Sequence, residues 1–285
     1  SGIIGGVSIN NIKEILIPLP PIQEQIRIAE KVGIIEPLIL NYNNLENKLS
    51  ELEKSFPDKL KKSILQIAIE GKLVRQDPAD EPAFVLLERI KKEKEQLVKE
   101  GKIKRDKNNN LLIQDDYKNY YMNMPENWQL CTIKDVCSYG YTAFSFNPIF
   151  GDWLLELEDI ESGSSKILIR KKITTDTNMN SKVYFDKNMI LYSKLRPYLD
   201  KVLIAPEQGV ATSEIVPFYS FINSEFLIYF LKSSYFLNRV KNLMYGVKMP
   251  RLGTNDMLST IFFLPPIEEQ SRIVYKVTKI FKVID

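Results

Sequence analysis

Apolar residues recur at steps of three and four from Ile22 to Phe56, which places them on one stripe of a helix. Sustained over about five heptads, such spacing predicts a coiled-coil seam rather than an ordinary surface helix. Pro37 predicts a kink or break near Glu36, and Pro57 predicts that the helix ends there. The stripe comprises Ile22, Ile26, Ala29, Val32, Ile35, Ile39, Tyr42, Leu45, Leu49, Leu52 and Phe56.

Further along, the pattern predicts a short helix over Leu60–Glu70 ended by Gly71, a Pro- and Asp-rich loop at 72–83, and a charged helix that stops at Gly101. From about Trp128 the pattern changes to short β-like runs separated by turn residues. One amphipathic helix is predicted between residues 223 and 242, with Ser224 as its N-cap. The region 128–264 is therefore predicted to be a strand-rich domain.

Two helix starts share nearly the same sequence. Residues 18–28 are PLPPIQEQIRI, and residues 264–273 are LPPIEEQSRI, so that Pro20 matches Pro265. Proline fits the first turn of a helix, where its missing N–H has no partner to lose. A repeat of this length corresponds to one domain followed by one long helix, and not to a solenoid.

Composition narrows the class of protein. An apolar content of 44% and a charged content of 26% are typical of a globular protein, and no run approaches a membrane span. The chain has two cysteines and no histidine, which excludes the usual Cys/His zinc sites and gives no disulfide framework. A reducing, cytoplasmic setting is expected. The net charge of +3 permits an acidic partner without requiring one.

Catalytic patterns are missing from the sequence. Without histidine there is no Ser-His-Asp or Cys-His arrangement, and no phosphate-binding GxxxxGK[ST] loop is present. The NPIF segment at 147–150 has Ile149 where an aminomethyltransferase motif has a second proline, so a turn is the preferred interpretation. The acidic run from Glu156 to Glu161 could indicate a metal or nuclease site, but alternation places Glu156 and Glu158 on one solvated strand face.

Three loops carry candidate DNA-binding chemistry. Residues 128–264 hold 15 Lys and Arg against 13 Asp and Glu, so that affinity for DNA would depend on local clusters. Arginine can hold guanine with two hydrogen bonds, whereas serine and lysine can reach phosphates. The candidates are Ser193, Lys194, Arg196 and Tyr198 in LYSKLRPYLDK, Lys248 and Arg251 in YGVKMPR, and Tyr141 in the polar-aromatic segment YGYTAFSF.

The repeated segments PLPPIQEQIRIAEKV and FLPPIEEQSRIVYKV resemble the starts of the two conserved regions of the specificity subunits of type I restriction–modification systems. Residues 61–107 resemble the central conserved segment of the same family, so the resemblance covers nearly the whole chain. It implies an α+β fold, in which a strand-rich mixed target-recognition domain is combined with long antiparallel, coiled-coil-like spacer helices. The implied regions are 1–17, the tail of a first recognition domain; 18–107, the central spacer; 108–127, a linker; 128–264, a recognition domain; and 265–285, the start of the distal helix.

The resemblance also implies a non-catalytic subunit that reads one half of a bipartite target in double-stranded DNA. Its helices would dock methyltransferase subunits and, through the complex, the restriction subunit, and a half-length subunit could form a homodimer. No cofactor is implied for this chain, because S-adenosylmethionine and ATP would belong to the partner subunits. Two alternatives remain: a coiled-coil scaffold with a protein-binding domain, and a stand-alone DNA methyltransferase or nuclease domain.

Overall fold

The computed structural model describes residues 12–103, 124–139 and 150–284, and the chain divides into two units between Phe56 and Pro57. The helices are Ile22–Ile69 (α1), Ala83–Lys99 (α2), Ile133–Val136 (α3), Ser224–Lys232 (α4), Ser234–Leu243 (α5), Thr254–Leu258 (α6) and Ile267–Ile284 (α7). The strands are Gln129–Thr132 (β1), Cys137–Tyr139 (β2), Trp153–Leu155 (β3), Lys171–Lys172 (β4), Lys182–Phe185 (β5), Ile190–Ser193 (β6), Val202–Ile204 (β7), Gly209–Thr212 (β8), Ile215–Ser220 (β9) and Ile261–Leu264 (β10).

Helix α1 continues through both internal prolines, so the breaks predicted near Glu36 and at Pro57 are wrong. A proline removes one N–H donor and crowds the preceding turn, but it leaves the hydrogen bonds of the neighbouring turns intact. Because α1 has 48 residues, several turns flank each proline and the helix persists. The predicted end of the helix is confirmed, since Gly71 follows it with a φ of +71°.

In the first unit, every residue of the predicted apolar stripe from Ile22 to Phe56 is exposed to solvent. The exposed fractions include 57% for Leu45, 57% for Leu49 and 60% for Leu52. A continuous row of large exposed apolar side chains along a helix is typical of a surface that contacts another molecule or helix. This segment therefore has the composition of a contact surface.

Three sheets form the strand-rich part of the second unit. Strands β1 and β10 pair antiparallel, and a four-stranded antiparallel sheet has the order β2-β9-β6-β7. A second four-stranded sheet has the order β4-β3-β8-β5, in which β3 and β8 run parallel. The main core is largely aliphatic and contains an aromatic cluster, in which the Phe230 ring lies 4.6 Å from Phe262 and 5.9 Å from Phe236, centroid to centroid. The predicted strand-rich α+β domain is confirmed.

Two helices replace the single helix predicted between residues 223 and 242. Asn223 is the N-cap of α4, because its side chain accepts hydrogen bonds from the backbone N–H groups of Glu225 and Phe226. The prediction of Ser224 as the cap is therefore wrong by one residue. Ser233 separates the helices: its hydroxyl donates to Phe230 O at 2.6 Å and accepts from Phe236 N at 3.3 Å, so one side chain ends α4 and caps α5.

The last turns of α1 pack antiparallel to α7 within the second unit. Lys61 Nζ lies 5.6 Å from the ring centroid of Phe281. Gln76, in the loop after α1, donates to Glu269 near the start of α7, with 2.6 Å between Nε2 and Oε1. The apolar residues buried in this region include Ile64, Leu65, Ala68, Ile273, Val274 and Val277. Two long helices thus pack antiparallel in this part of the chain.

The repeated sequence is a repeated helix start. Gln25 Nε2 donates to Pro20 O at 2.7 Å, and Gln270 Nε2 donates to Pro265 O at 2.9 Å. In each copy the glutamine fastens the first turn of the helix to the carbonyl five residues before it. The side chain thereby satisfies an acceptor that precedes the helix, which explains why Gln follows the Pro-Pro pair at the same offset.

A buried carboxylate holds the start of α7 to the rest of the second unit. Glu269 is fully buried and accepts hydrogen bonds from Trp128 Nε1 at 2.9 Å and from Gln76 Nε2. Burial raises the pKa of Glu269 above its ordinary value, although both hydrogen bonds oppose that shift. One turn later, Arg272 forms an ion pair with the nearly buried Asp80. These partners lie far apart in sequence, and no local pattern predicts their pairing.

Candidate nucleic-acid interface

The first candidate loop follows strand β6. Ser193, its last residue, is only 2% exposed, and its hydroxyl donates to Leu195 O at 2.9 Å. A short turn at Pro197–Leu199 follows, and left-handed residues bracket it: Arg196 has a φ of +47° and Asp200 a φ of +55°. Left-handed backbone is costly for residues other than glycine, and such strain is concentrated at functional sites. Ser193 thus lies beneath the loop and helps to fix its shape.

The structure brings the second candidate loop directly against the first. Arg196 N donates to Pro250 O at 2.8 Å, and Leu252 N donates to Lys194 O at 2.9 Å. These two hydrogen bonds join segments that are more than 50 residues apart in sequence. Residues 193–200 and 245–251 therefore form one surface, here called the loop pair.

A reciprocal backbone bridge closes the base of the second loop. Tyr245 N donates to Arg251 O at 3.0 Å, and Arg251 N donates back to Tyr245 O at 2.9 Å. Gly246 has a φ of +89°, and a Cβ added there would lie 3.2 Å from Met249 O. The glycine is thus required by both its backbone conformation and the close return of the chain. The base of this loop is rigidly defined, while residues 247–249 project into solvent.

The loop pair contains one basic side chain that is held in an ion pair and three that are not. Arg251 forms a bidentate ion pair with Glu214, with Nη2 and Nε at 2.8 and 3.1 Å from Oε1, and this pairing raises the pKa of the guanidinium. Lys194, Arg196 and Lys248, by contrast, have no ion-pair partner within the part of the chain that the structure describes. Three unpaired cations on one hydrogen-bonded base suit a polyanionic ligand.

Two aromatic candidates complete the predicted set. Tyr198 lies on the turn between the two left-handed residues and is 45% exposed, so its ring is available for contact. Tyr141 lies outside the described residues. The loop pair therefore contains six of the seven predicted residues, with Ser193 buried and Arg251 engaged by Glu214.

Two buried polar groups lie under the turn. Asp200 Oδ1 and the hydroxyl of Tyr192 are buried, and neither atom has a hydrogen-bond partner among the described residues. Burial raises the pKa of Asp200 to about 6, although Lys232 and Lys62 act in the opposite direction. Burial likewise lowers the pKa of Lys232, whose ammonium donates to Gly163 O at 2.7 Å. The left-handed residue that ends the turn thus holds a carboxyl group that titrates close to neutrality.

The acidic run is not a strand face, so the prediction from alternation is wrong. Strand β3 ends at Leu155, and residues Leu157–Asp159 form a 3₁₀ turn, so that the carboxylates of Glu156, Glu158 and Asp159 reach one common lysine. Lys171 lies among them, with Nζ at 2.7 Å from Glu156 and 3.2 Å from Asp159, and it also contacts Glu158. Lys182 Nζ also lies 3.2 Å from Glu156, so two lysines offset part of the negative charge of the cluster, and the hydrogen bonds to the carboxylates raise the pKa of Lys171.

Two other kinds of site are absent from the described ranges. No group of three or more histidine, cysteine, aspartate or glutamate residues there is arranged to hold a metal ion. Of the helices in those ranges, none combines the length and the apolar character that a membrane span needs.

Comparison with known proteins identifies the class. The family model of the type I restriction modification DNA specificity domain matches residues 125–285, which is more than half of the chain. The matched region begins just before Trp128 and includes the loop pair and α7. The chain therefore belongs to the family of type I restriction–modification DNA specificity domains.

Particular relatives agree with this family. The specificity subunit of the Escherichia coli type I restriction enzyme EcoAI is 32% identical over 265 residues, covering 87% of this chain and 44% of the relative. That of EcoEI, also from Escherichia coli, is 30% identical over 249 residues, covering 80% of this chain and 39% of the relative. That of EcoDI is 24% identical over 277 residues, covering 96% and 57%. The chain thus spans about half the length of the curated relatives it matches.

Two solved structures contain a chain that is similar to this one. The HsdS subunit from Thermoanaerobacter tengcongensis is 17% identical with a TM-score of 0.43, and the match covers all of this chain and 57% of that one. A chain from a structural study of the assembly and conformational transition of the type I R-M system is 15% identical with a TM-score of 0.49, covering 98% of this chain and 56% of that one.

Proposed function

We propose that this chain is a DNA sequence-recognition subunit of a type I restriction–modification complex and reads one half of a bipartite target. Region 128–264 acts as the recognition domain, 18–107 as the central spacer, 108–127 as a linker and 265–285 as the start of the distal spacer, with 1–17 ending a first recognition domain. The observation that carries the proposal is the loop pair, where Lys194, Arg196 and Lys248 lie unpaired among the described residues of a chain from this family.

Each residue of the loop pair has a distinct role in this proposal. Arg196 and Lys248 approach base edges or phosphates, and Lys194 contacts the phosphate backbone. Tyr198 supplies an exposed ring beside Arg196, and Tyr141 adds an aromatic contact from the third loop. Ser193 and Arg251 support this surface through the Leu195 carbonyl and the Glu214 carboxylate.

The helices supply the partner surface. The exposed stripe on α1 packs against a second helix and against methyltransferase subunits. The methyltransferase subunits in turn connect this chain to the restriction subunit. In a half-length arrangement, a second copy of the chain provides that helix as a homodimer. Methylation and cleavage are carried out by the partner subunits, so this chain is not an enzyme and needs no cofactor, while S-adenosylmethionine and ATP serve the assembly. The cytoplasm is the proposed setting, in keeping with two buried free cysteines.

The test is binding of duplex DNA containing a randomised segment, measured by fluorescence anisotropy with and without the methyltransferase subunit. A triple variant, Lys194→Gln with Arg196→Gln and Lys248→Gln, should weaken binding and reduce the salt slope by about 0.9 for each phosphate that is no longer neutralised. The matched control replaces Lys92, Lys172 and Lys187, which are exposed elsewhere, with glutamine.

The outcomes separate the alternatives. Equal weakening by both triple variants would place the DNA-binding surface outside the loop pair. Absence of duplex binding at every salt concentration, with or without the methyltransferase subunit, would favour the protein-binding scaffold. Methyl transfer or cleavage by the purified chain alone would favour the enzyme alternative.

A further inference from the structure

We propose that Val247 and Met249 form an apolar tip that enters the major groove and contacts the 5-methyl group of thymine. This inference rests on the proposed DNA-recognition function and adds two residues that determine specificity. Their side chains carry neither charge nor hydrogen-bonding groups, so basic and polar patterns in the sequence do not reveal them.

The tip exposes far more apolar surface than its surroundings require. Val247 is 99% exposed, Met249 is 52% exposed, and Tyr245 at the base is 59% exposed. Three large apolar side chains within five residues form a local patch, whereas scattered single residues would need no explanation. None of the three lies in the apolar core. The patch is therefore presented to a partner.

The tip is held in place by its base. The Tyr245–Arg251 bridge, the bond from Arg196 N to Pro250 O and the Arg251–Glu214 ion pair fix both ends of residues 246–250. A rigid base lowers the entropy lost when the tip is inserted into a ligand. The single antiparallel bridge between Tyr245 and Arg251 keeps the two ends of the loop side by side, and the major groove is wide enough to admit two adjacent backbone segments.

Charge identifies the partner as DNA. Lys248 lies between the two apolar residues, and the backbone bonds place Arg196 and Lys194 beside the loop. A purely apolar protein partner would have to desolvate these cations, whereas the phosphates on both sides of a groove neutralise them. Within the major groove, the apolar group that bases offer is the thymine methyl. Apolar side chains set among cations thus match one feature of duplex DNA.

The experiment begins with duplexes selected by the full chain from the randomised pool, with the methyltransferase subunit present. Each thymine of a selected duplex is then replaced in turn by deoxyuridine, which removes only the methyl group. We expect wild-type affinity to fall about three- to five-fold at one or two adjacent positions, the amount typical of one buried methyl group. Val247→Ser and Met249→Gln should bind thymine and uracil equally at those positions and leave the salt slope unchanged.

Ile169→Ser is the matched control, because Ile169 is 55% exposed but lies outside both the loop pair and the helices. It should retain the full thymine preference. Because Val247 and Met249 are exposed, thermal unfolding of their variants should match that of the wild type.

Failure of the inference can be told apart from failure of the proposed function. If the wild type binds no duplex, both the proposed DNA-recognition function and the inference about the apolar tip are wrong. If binding depends on Lys194, Arg196 and Lys248 but Val247→Ser removes no preference for thymine, the proposal for the apolar tip is overturned and the proposed function stands. Equal losses by Val247→Ser on thymine and uracil duplexes would also overturn it, as would unstacking detected by 2-aminopurine fluorescence beside the tip, which indicates a wedge between bases.

Discussion

The Arg251 guanidinium donates hydrogen bonds from two nitrogens to the Glu214 carboxylate, with Nη2 at 2.8 Å and Nε at 3.1 Å from Oε1. The backbone carbonyl of the same glutamate accepts a hydrogen bond from Lys194 N at 3.0 Å. One residue of the β8–β9 connection therefore contacts both halves of the loop pair. A cation that the sequence pattern marks as a DNA ligand thus has an internal partner that competes with phosphate.

Arg251 and Lys248 should consequently differ in their effect on DNA binding. Lys248→Gln should weaken binding and lower the salt slope by about 0.9, the value for one neutralised phosphate. Arg251→Gln should weaken binding by loosening the loop pair while the salt slope stays the same. Anisotropy titrations over a series of salt concentrations measure both quantities. A drop in slope for Arg251→Gln would show that Arg251 leaves Glu214 and contacts phosphate.

Glu269 should be among the most sensitive residues for stability. Glu269→Ala would leave the Trp128 indole and the Gln76 amide without their acceptor in a buried site, which costs about 3 kcal/mol in the free energy of unfolding. Urea unfolding followed by tryptophan fluorescence measures the loss. The adjacent Glu268 is exposed, so Glu268→Ala should change stability by less than about 0.5 kcal/mol. Similar losses for both variants would contradict the role assigned to the buried carboxylate.

Asp200 should make stability depend on pH in a defined direction. Its pKa is about 6 in the folded chain against an ordinary 3.8, so between these values the folded state holds a proton that the unfolded state has released. The free energy of unfolding contributed by Asp200 therefore falls as pH rises from about 4 to about 6. Asp200→Asn cannot titrate, and asparagine tolerates the left-handed backbone at this position.

The free energy of unfolding of Asp200→Asn should match that of the wild type near pH 4 and should be higher near pH 7.5 by on the order of 2 kcal/mol. Urea unfolding at both pH values gives this difference, and taking it between the two proteins cancels the titration of other groups. A constant difference across the pH range would mean that the carboxyl group of Asp200 is ionised with equal ease in both states.

Features that depend on neighbouring residues could be predicted from the sequence. The helix ends at Gly71 and Gly101, the strand-rich domain and the helix starts at Pro20 and Pro265 all follow from local rules, and the fold agrees with them. Local rules failed where two adjacent residues were equally suitable, as with Asn223 and Ser224 at the start of α4. They also failed at the internal prolines, because a long helix retains enough hydrogen bonds on either side to continue.

The candidate site was only partly predictable for a physical reason. The sequence identified the basic loops at 193–200 and 245–251, but their contact depends on hydrogen bonds across more than 50 residues. Glu214, which contacts both loops, belongs to neither basic segment, so no signal in those segments identifies it. The pairing of Lys171 with Glu156 likewise depends on the fold of a 3₁₀ turn, which alternation alone cannot reveal.

The apolar stripe on α1 should control association of the chain. Leu45→Lys with Leu49→Lys places two cations at its exposed seam, whereas Asn43→Lys with Asn47→Lys adds the same charge outside the stripe. Because a buried leucine contributes roughly 2 kcal/mol, the seam variant should associate at least about 100-fold more weakly, while the control should resemble the wild type. Sedimentation velocity, with the chain alone and with the methyltransferase subunit, measures both kinds of association. A wild-type chain that remains monomeric in both mixtures, or a control as impaired as the seam variant, would show that the stripe is not the docking surface.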